Sequence, residues 1–153
     1  MNEYILELGK KAKEASKKLA IIDTNTKNAV LTAVAKALIE KRELIKAENK
    51  KDLEYGKEKG ISSALLDRLE LTDSRIDGMA KSLIEIANFK DPVGEILEGW
   101  KHPDGMQILK QRVPLGVIGM IFESRPNVTI DSAGLAVKSS NAIILRGGSD
   151  AIN

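Results

Sequence analysis

The chain has 153 residues, of which 42 % are hydrophobic and 30 % charged, enough apolar material for one core and too much for a disordered segment. Its 24 basic and 22 acidic residues are interspersed and leave a formal net charge of +2, so the basic stripe that binds nucleic acid or an anionic membrane surface is missing. Cysteine is absent, which excludes disulfides, thiolate metal sites and a cysteine nucleophile within these residues; no apolar run is long enough to cross a bilayer, and the cytosol is the expected location.

From Tyr4 to Leu19, Ile5, Leu8, Ala12, Ala15 and Leu19 recur at spacings of three and four between lysines and glutamates, which predicts an amphipathic surface helix. Asp23 to Thr26 offers several capping side chains. A second helical pattern runs from there through Val30, Val34, Leu38, Leu44 and Ile45 to about Tyr55, with a break near Lys41 to Glu43 that would divide it in two. Charges alternate in sign from Lys41 to Lys59, as on a solvated helix face. Gly60 reads as a carboxyl-terminal cap and Ser62 as the next amino-terminal cap; the short helix that follows should turn Leu65, Leu66 and Leu69 inward. Thr72 or Asp73 starts another helix, with an apolar stripe of Ile76, Met79, Ala80, Leu83, Ile84 and Ala87, ended by Asp91, Pro92 and Gly94.

Helical periodicity stops at Ile96. Pro103, Asp104 and Gly105 are turn residues between two segments able to pair, which predicts a long hairpin; Trp100 is expected to anchor it. Its weak contrast between polar and apolar faces suits an edge that meets a second copy of the chain, making 96–113 an expected oligomerisation arm. His102, the single histidine, sits beside the turn proline and reads as a surface residue.

The stretch PLGVIGMIFESRPNVTIDSAGLAVKSSNAIILRGGSD, from Pro114 to Asp150, carries the chemistry. A β-branched apolar run from Val117 to Phe122 ends in Glu123, Ser124, Arg125, Pro126 and Asn127; a helical pattern follows from Thr129 to Lys138; a second apolar run, Ala142 to Leu145, stops at Arg146, Gly147 and Gly148. A crossover long enough for a helix makes the two strands parallel, and ligands of such units collect beyond the carboxyl ends of the strands. At the first end Asn127 supplies an amide donor and Arg125 a permanent cation, groups suited to an anionic or carbonyl substrate. The same residues also fit a purely structural reading, with Asn127 capping the helix and Arg125 paired to Glu123. At the second end Arg146, Gly147, Gly148 and Ser149 join a cation, close backbone approach and a hydroxyl, a combination that suits a phosphate, although the dinucleotide fingerprint GxGxxG is missing.

PLGVIGMIFESRPNVT followed by KSSNAIILRGG closely resembles the gamma-glutamyl phosphate reductase family of the aldehyde dehydrogenase superfamily, and IKAENKKDLEYGKEKGIS and LTDSRIDGMAKSL resemble that family's amino-terminal region. The resemblance covers essentially all 153 residues. It implies an α/β, aldehyde-dehydrogenase-like fold in three parts: a helical part of the cofactor domain at 1–95, the hairpin arm at 96–113, and the start of a Rossmann-like parallel NADP-binding sheet at 114–153. It further implies reduction of L-glutamyl 5-phosphate by NADPH to glutamate 5-semialdehyde and phosphate in proline biosynthesis, through a cysteine thioester. Asn127 would donate to the developing oxyanion, at a position that allows for a small insertion, because ordinary aldehyde dehydrogenases carry their asparagine where this chain has Arg125. Arg146 matches the lysine that the superfamily offers to the adenosine ribose, and Ser149 falls where NAD-preferring members often carry a glutamate; that contrast implies NADP. Glu123 and Arg125 would orient substrate.

Family members are far longer and carry their cysteine beyond the residues matched here, so the chain is expected to be an amino-terminal fragment, inactive and marginally stable alone. Two rivals remain at this point. A catalytically inactive dinucleotide-binding or assembly module would also lack the cysteine, and a purely helical interaction domain is opposed by the two strand runs.

Overall fold

A computed structural model describes residues 3–123, 125–149 and 151–153. Helices α1 (Glu3–Leu19), α2 (Thr24–Glu40), α3 (Arg42–Glu58), α4 (Ser63–Leu69) and α5 (Asp73–Asn88) come first. Strands β1 (Ile96–Lys101) and β2 (Gln107–Gln111) follow, then β3 (Val117–Ile121), α6 (Pro126–Lys138) and β4 (Ala142–Arg146).

Local chemistry sets the helix limits. The Asp23 carboxylate caps α2, accepting from the Thr26 amide at 3.0 Å and its hydroxyl at 2.6 Å. The expected break falls at Lys41, which ends α2 and starts α3. Gly60, at φ +71°, closes α3: its amide donates to the Lys57 carbonyl and that of Ile61 to the Gly56 carbonyl, the paired bonds of a glycine-terminated helix. Thr72 caps α5 through the Arg75 amide at 3.2 Å. Helix α6 begins at Pro126, earlier than the expected Thr129, because proline at a first helical position has its φ preset and lacks only a hydrogen that would be unpaired there anyway.

The core lies between α2 and α5. Leu31, Ala35 and Leu38 meet Ile76, Met79, Ala80, Leu83, Ile86 and Ala87, with Ile130 and Val137 of α6 packed against them. Ile86 takes the inward place expected of Ile84, which is exposed, and only Leu69 of the three α4 leucines is fully buried while Leu65 is exposed. Gly134 lets α6 approach: a Cβ there would lie 2.7 Å from Leu83 Cδ2. Helix α3 departs from a uniformly solvated face, since Asn49, Asp52 and Gly56 are buried. Asn49 holds the α4–α5 connection from both sides, donating to the Leu69 carbonyl at 2.9 Å and accepting from the Leu71 amide at 2.8 Å.

Strands β1 and β2 pair antiparallel as a ribbon, with an irregularity between Ile96 and Glu98 and a turn in which Gly105 has φ +87°. Ile108 alone is half-buried, and Trp100, opposite it and 49 % exposed, is not anchored in the body of the molecule. Strands β3 and β4 pair parallel from Val117 with Ala142 to Ile121 with Arg146. Helix α1 packs against β4 and β3, while α6 packs against β4, α5 and α2.

The KSSN segment turns α6 into β4 at the end of the pair remote from the ESRPN and RGGS segments. Ser140, fully buried at φ +56°, occupies the left-handed position after the helix, and its hydroxyl accepts from Lys27 Nζ at 3.0 Å. Lys27, 2 % exposed, also pairs with Asp91. Lys138, 3 % exposed, donates to Asn28 Oδ1 at 2.7 Å and to the Ala87 carbonyl at 2.8 Å. Asn141 Oδ1 accepts from the Gly116 amide at 2.8 Å and so fixes the entry to β3.

Candidate functional site

Both strands of the parallel pair end at the same level. The Phe122 amide donates to the Arg146 carbonyl at 3.1 Å, and beyond that bond the two chains separate. On the β3 side the Arg125 amide donates to the Glu123 carbonyl at 2.7 Å. Arg125 itself is extended, at φ −122° and ψ 97°, as a residue before proline must be, and it occupies the cap position of α6 without a side-chain cap bond. Among the described residues no side-chain bond caps the first-turn amides of α6, which lie at the positive end of a thirteen-residue helix.

Asn127 is the second residue of that helix and not its cap. Its Nδ2 donates to Asp131 Oδ2 at 3.3 Å, one turn on, and Asp131 Oδ1 accepts from Ser82 Oγ of α5 at 2.8 Å. Among the described residues the Glu123 and Arg125 side chains form no ion pair with one another. On the β4 side Arg146, Gly147 and Ser149 are exposed and Gly148 is half-buried. No ion pair among the described residues engages Arg146.

Three openings surround these ends. A cavity of about 530 Å³ is walled by Glu123, Arg125, Gly147 and Gly148, with Met79 and the buried polar residues Asn49 and Asp52 opposite. A cleft of about 410 Å³ lies on the other side of Pro126 and contains Arg125, Asn127, Asp131 and Ser82, together with Arg68 and Arg75. Arg146 lines a third, of about 400 Å³, with Phe122, Glu123 and Gly148. The structure thus brings Glu123, Arg125, Gly147 and Gly148 round one cavity, sets Asn127 in the neighbouring cleft, puts Arg146 on a flank, and leaves Ser149 outside all three. Arg125 lines two of them.

Reasoning from the sequence passed over Ser82, Asp131 and Arg68. Asn127 and Asp131 stand at the four-residue spacing of helical neighbours, a signal that could have found their bond, whereas Ser82 and Arg68 reach the cleft by tertiary packing. Among the described residues no group of three or more His, Cys, Asp or Glu side chains could hold a metal ion, and no helix is long and apolar enough to cross a membrane. The titrations that are displaced by buried surroundings lie at the far end of the strands. Burial lowers the Lys138 pKa, with the Asp91 charge opposing and that of Lys27 adding to it. For Asp91, burial opposes ionisation but is outweighed by hydrogen bonds from Lys27, Thr24 and the Val93 amide and by the Lys27 charge, so its pKa falls below the usual 3.8.

No family model matches the chain. It is 54 % identical over all 153 residues to a gamma-glutamyl phosphate reductase of Halothermothrix orenii, of which it covers 37 %. To the protein of the same name from Caldanaerobacter subterraneus it is 56 % identical over 144 residues, 94 % of this chain and 35 % of the relative. The chain therefore spans a little over a third of the length of the curated relatives it matches. Among solved structures it is similar to gamma-glutamyl phosphate reductase from Thermotoga maritima, with 46 % identity and a TM-score of 0.93 over 95 % of this chain and 35 % of that one. A probable aldehyde dehydrogenase from Listeria monocytogenes, at 19 % identity and a TM-score of 0.67 over 97 % of this chain and 30 % of that one, shares the fold alone. The architecture is of the aldehyde-dehydrogenase type, as the family resemblance of the sequence implied.

Proposed function

We propose that this chain is part of a gamma-glutamyl phosphate reductase, the family it resembles along its whole length, and that the whole protein converts L-glutamyl 5-phosphate, NADPH and a proton into L-glutamate 5-semialdehyde, phosphate and NADP in the cytosol. The observation that carries this reading is the 54 % identity over all 153 residues. The two strand ends support it, because they place a cation, an amide donor and bare backbone round adjoining openings.

The residues fit a nicotinamide dinucleotide. Gly147 and Gly148 present backbone to the 530 Å³ cavity without side chains to block close approach, and the cavity stands beyond the carboxyl ends of parallel strands. NADPH, when bound, supplies the hydride. Arg146, exposed and without an ion-pair partner among the described residues, is suited to accept the 2′-phosphate, and Ser149 adds a hydroxyl where a carboxylate would repel it. Asn127 offers its amide to the carbonyl oxygen of the substrate as charge builds there, and Glu123 and Arg125 orient substrate from the loop between the openings. The chain contains no cysteine, so a cysteine that holds the acyl group belongs to the part of the family's length that this chain does not span. In domain terms, 1–95 is the helical part of the cofactor domain, 96–113 an oligomerisation arm and 114–153 the first parallel unit.

The test is the reverse reaction of the complete protein. Glutamate 5-semialdehyde, phosphate and NADP should give reduced cofactor, and NAD should serve poorly. Replacing Arg146 by Ala should raise KM for NADP by about ten- to a hundredfold while changing that for NAD little. Absence of turnover with either cofactor would overturn the reading, and an unchanged NADP affinity would remove Arg146 from the site.

A further inference from the structure

The arginine next to the buried end of α4 has no part in the fold that its surroundings explain. Arg68 lies between Asp67 and Leu69, and each of these neighbours is fixed. Leu69 is 1 % exposed, and its carbonyl accepts from Asn49 Nδ2 at 2.9 Å. Asp67 is held by Arg75, whose Nη1 donates to the Asp67 and Glu70 carbonyls and whose Nη2 lies 3.2 Å from the Asp67 carboxylate. Arg75 is thus consumed in tying the α4–α5 connection together. Arg68, mounted on that tied segment, forms no ion pair with any described residue and lines the 410 Å³ cleft.

Three positive features share this cleft: Arg68, Arg125, and the amino-terminal end of α6, which Arg125 does not cap through its side chain. Two acidic residues are also present. Both Asp131 oxygens accept hydrogen bonds, from Asn127 and Ser82, while Glu70 meets Arg75 through its backbone carbonyl and its carboxylate stays in the cleft as a competing negative charge. Among the described residues neither carboxylate forms an ion pair with Arg68 or Arg125, so the two guanidinium groups, one on α4 and one at the start of α6, face the cleft without a direct partner. A guanidinium fixed at its backbone and unpaired at its tip is suited to clamp an oxyanion bidentately.

We infer that the cleft binds the phosphate of the acyl phosphate, with Arg68 as the anchoring cation on the helical side and Arg125 facing it. This rests on the reductase reading for the identity of the ligand, and deepens it by assigning the leaving group a place beside Asn127. Arg68 binds the phosphate in the substrate and holds it as it leaves: the acyl carbon forms its C–S bond to the cysteine of the reductase reading as its C–O bond to phosphate breaks, the thiol proton ends on the phosphate, and the resulting hydrogen phosphate dianion remains paired to the two guanidinium groups.

The experiment uses the complete enzyme with Arg68→Ala and Arg68→Lys. In the reverse direction, where inorganic phosphate and glutamate 5-semialdehyde are separate substrates, Arg68→Ala should raise KM for phosphate by about ten- to a hundredfold. The KM values for semialdehyde and NADP should stay within about twofold, and Arg68→Lys should recover part of the loss. Phosphate-31 line broadening by the wild-type enzyme, weakened in Arg68→Ala, gives a second measure that needs no turnover. An unchanged phosphate KM and unchanged broadening would overturn the assignment. A rise confined to the semialdehyde KM would overturn it too, moving Arg68 to the amino-acid carboxylate. Arg68-dependent broadening in an enzyme that does not turn over would uphold the phosphate site while removing the reductase reading.

Discussion

The Asn127 carboxamide has two hydrogens on one nitrogen, and the structure uses one of them. Its bond to Asp131, at 3.3 Å, restrains the side chain, while Ser82 holds the Asp131 carboxylate from α5 at 2.8 Å. If Asn127 donates to the oxyanion as proposed, Asp131 acts as its positioning residue. Asp131→Ala should lower kcat by about tenfold or more, less than the hundred- to thousandfold expected for loss of an oxyanion donor, with substrate KM little changed. Asp131→Asn, which keeps one acceptor oxygen, should recover part of the rate; equal rates for the two variants, or a loss carried wholly by KM, would assign Asp131 to folding alone. How much of this was readable depends on the residue. Asn127 stood out as an amide donor beside a proline, and Asp131 was available from its spacing. Ser82 could not be found, because no pattern along the chain reports that α5 crosses α6 at that point. Ser140 illustrates the same limit: glycine is the usual residue at a left-handed position after a helix, and serine makes sense there only once its hydroxyl is seen receiving the buried Lys27.

At the scale of elements, amphipathic helices and β-branched strands announced themselves because burial imposes a period on their sequences. The start of α6 was less legible, since proline signals a helix break as readily as a first turn. The hairpin was legible as a hairpin, but its surroundings were not. Leu97, Trp100 and Leu109 are each 44–49 % exposed on the ribbon, and exposed apolar side chains beside a free strand edge suit pairing with a second chain. If the arm joins subunits, Trp100→Glu in the complete protein should shift sedimentation toward the monomer at micromolar concentration, with little change in the cofactor KM values of what remains. Sedimentation identical to the parent protein across a hundredfold dilution would remove the arm from the interface.

For the whole molecule, the cluster at the far end of the strands joins everything else. Lys27 comes from α2, Asp91 from the connection between α5 and β1, Lys138 from the last turn of α6 and Ser140 from the turn between α6 and β4, so the helical layer, the root of the arm and the parallel pair meet in one buried polar knot. The motif KSSN, a mark of resemblance in the sequence, serves the fold through these contacts. Buried ion pairs give little net stability over an apolar replacement, yet removing one partner typically costs about 3–5 kcal/mol because the other charge stays buried alone. Asp91→Asn should therefore lower the denaturation midpoint of the complete protein at neutral pH. The pH dependence has a definite sign. The native Asp91 pKa lies below 3.8, so the unfolded state holds more protons in the interval between the two values. The stabilisation is fully present above the unfolded value and is lost as pH falls through the native one. The stability difference between parent and Asp91→Asn should accordingly be constant from neutral pH down to about pH 5 and shrink below about pH 4. Asp23 and Glu95, whose pKa values are also lowered, contribute equally to both proteins and cancel in that difference. A difference that stayed constant to about pH 2 would mean that Asp91 is not held ionised by Lys27, and that the knot is maintained by packing and neutral hydrogen bonds.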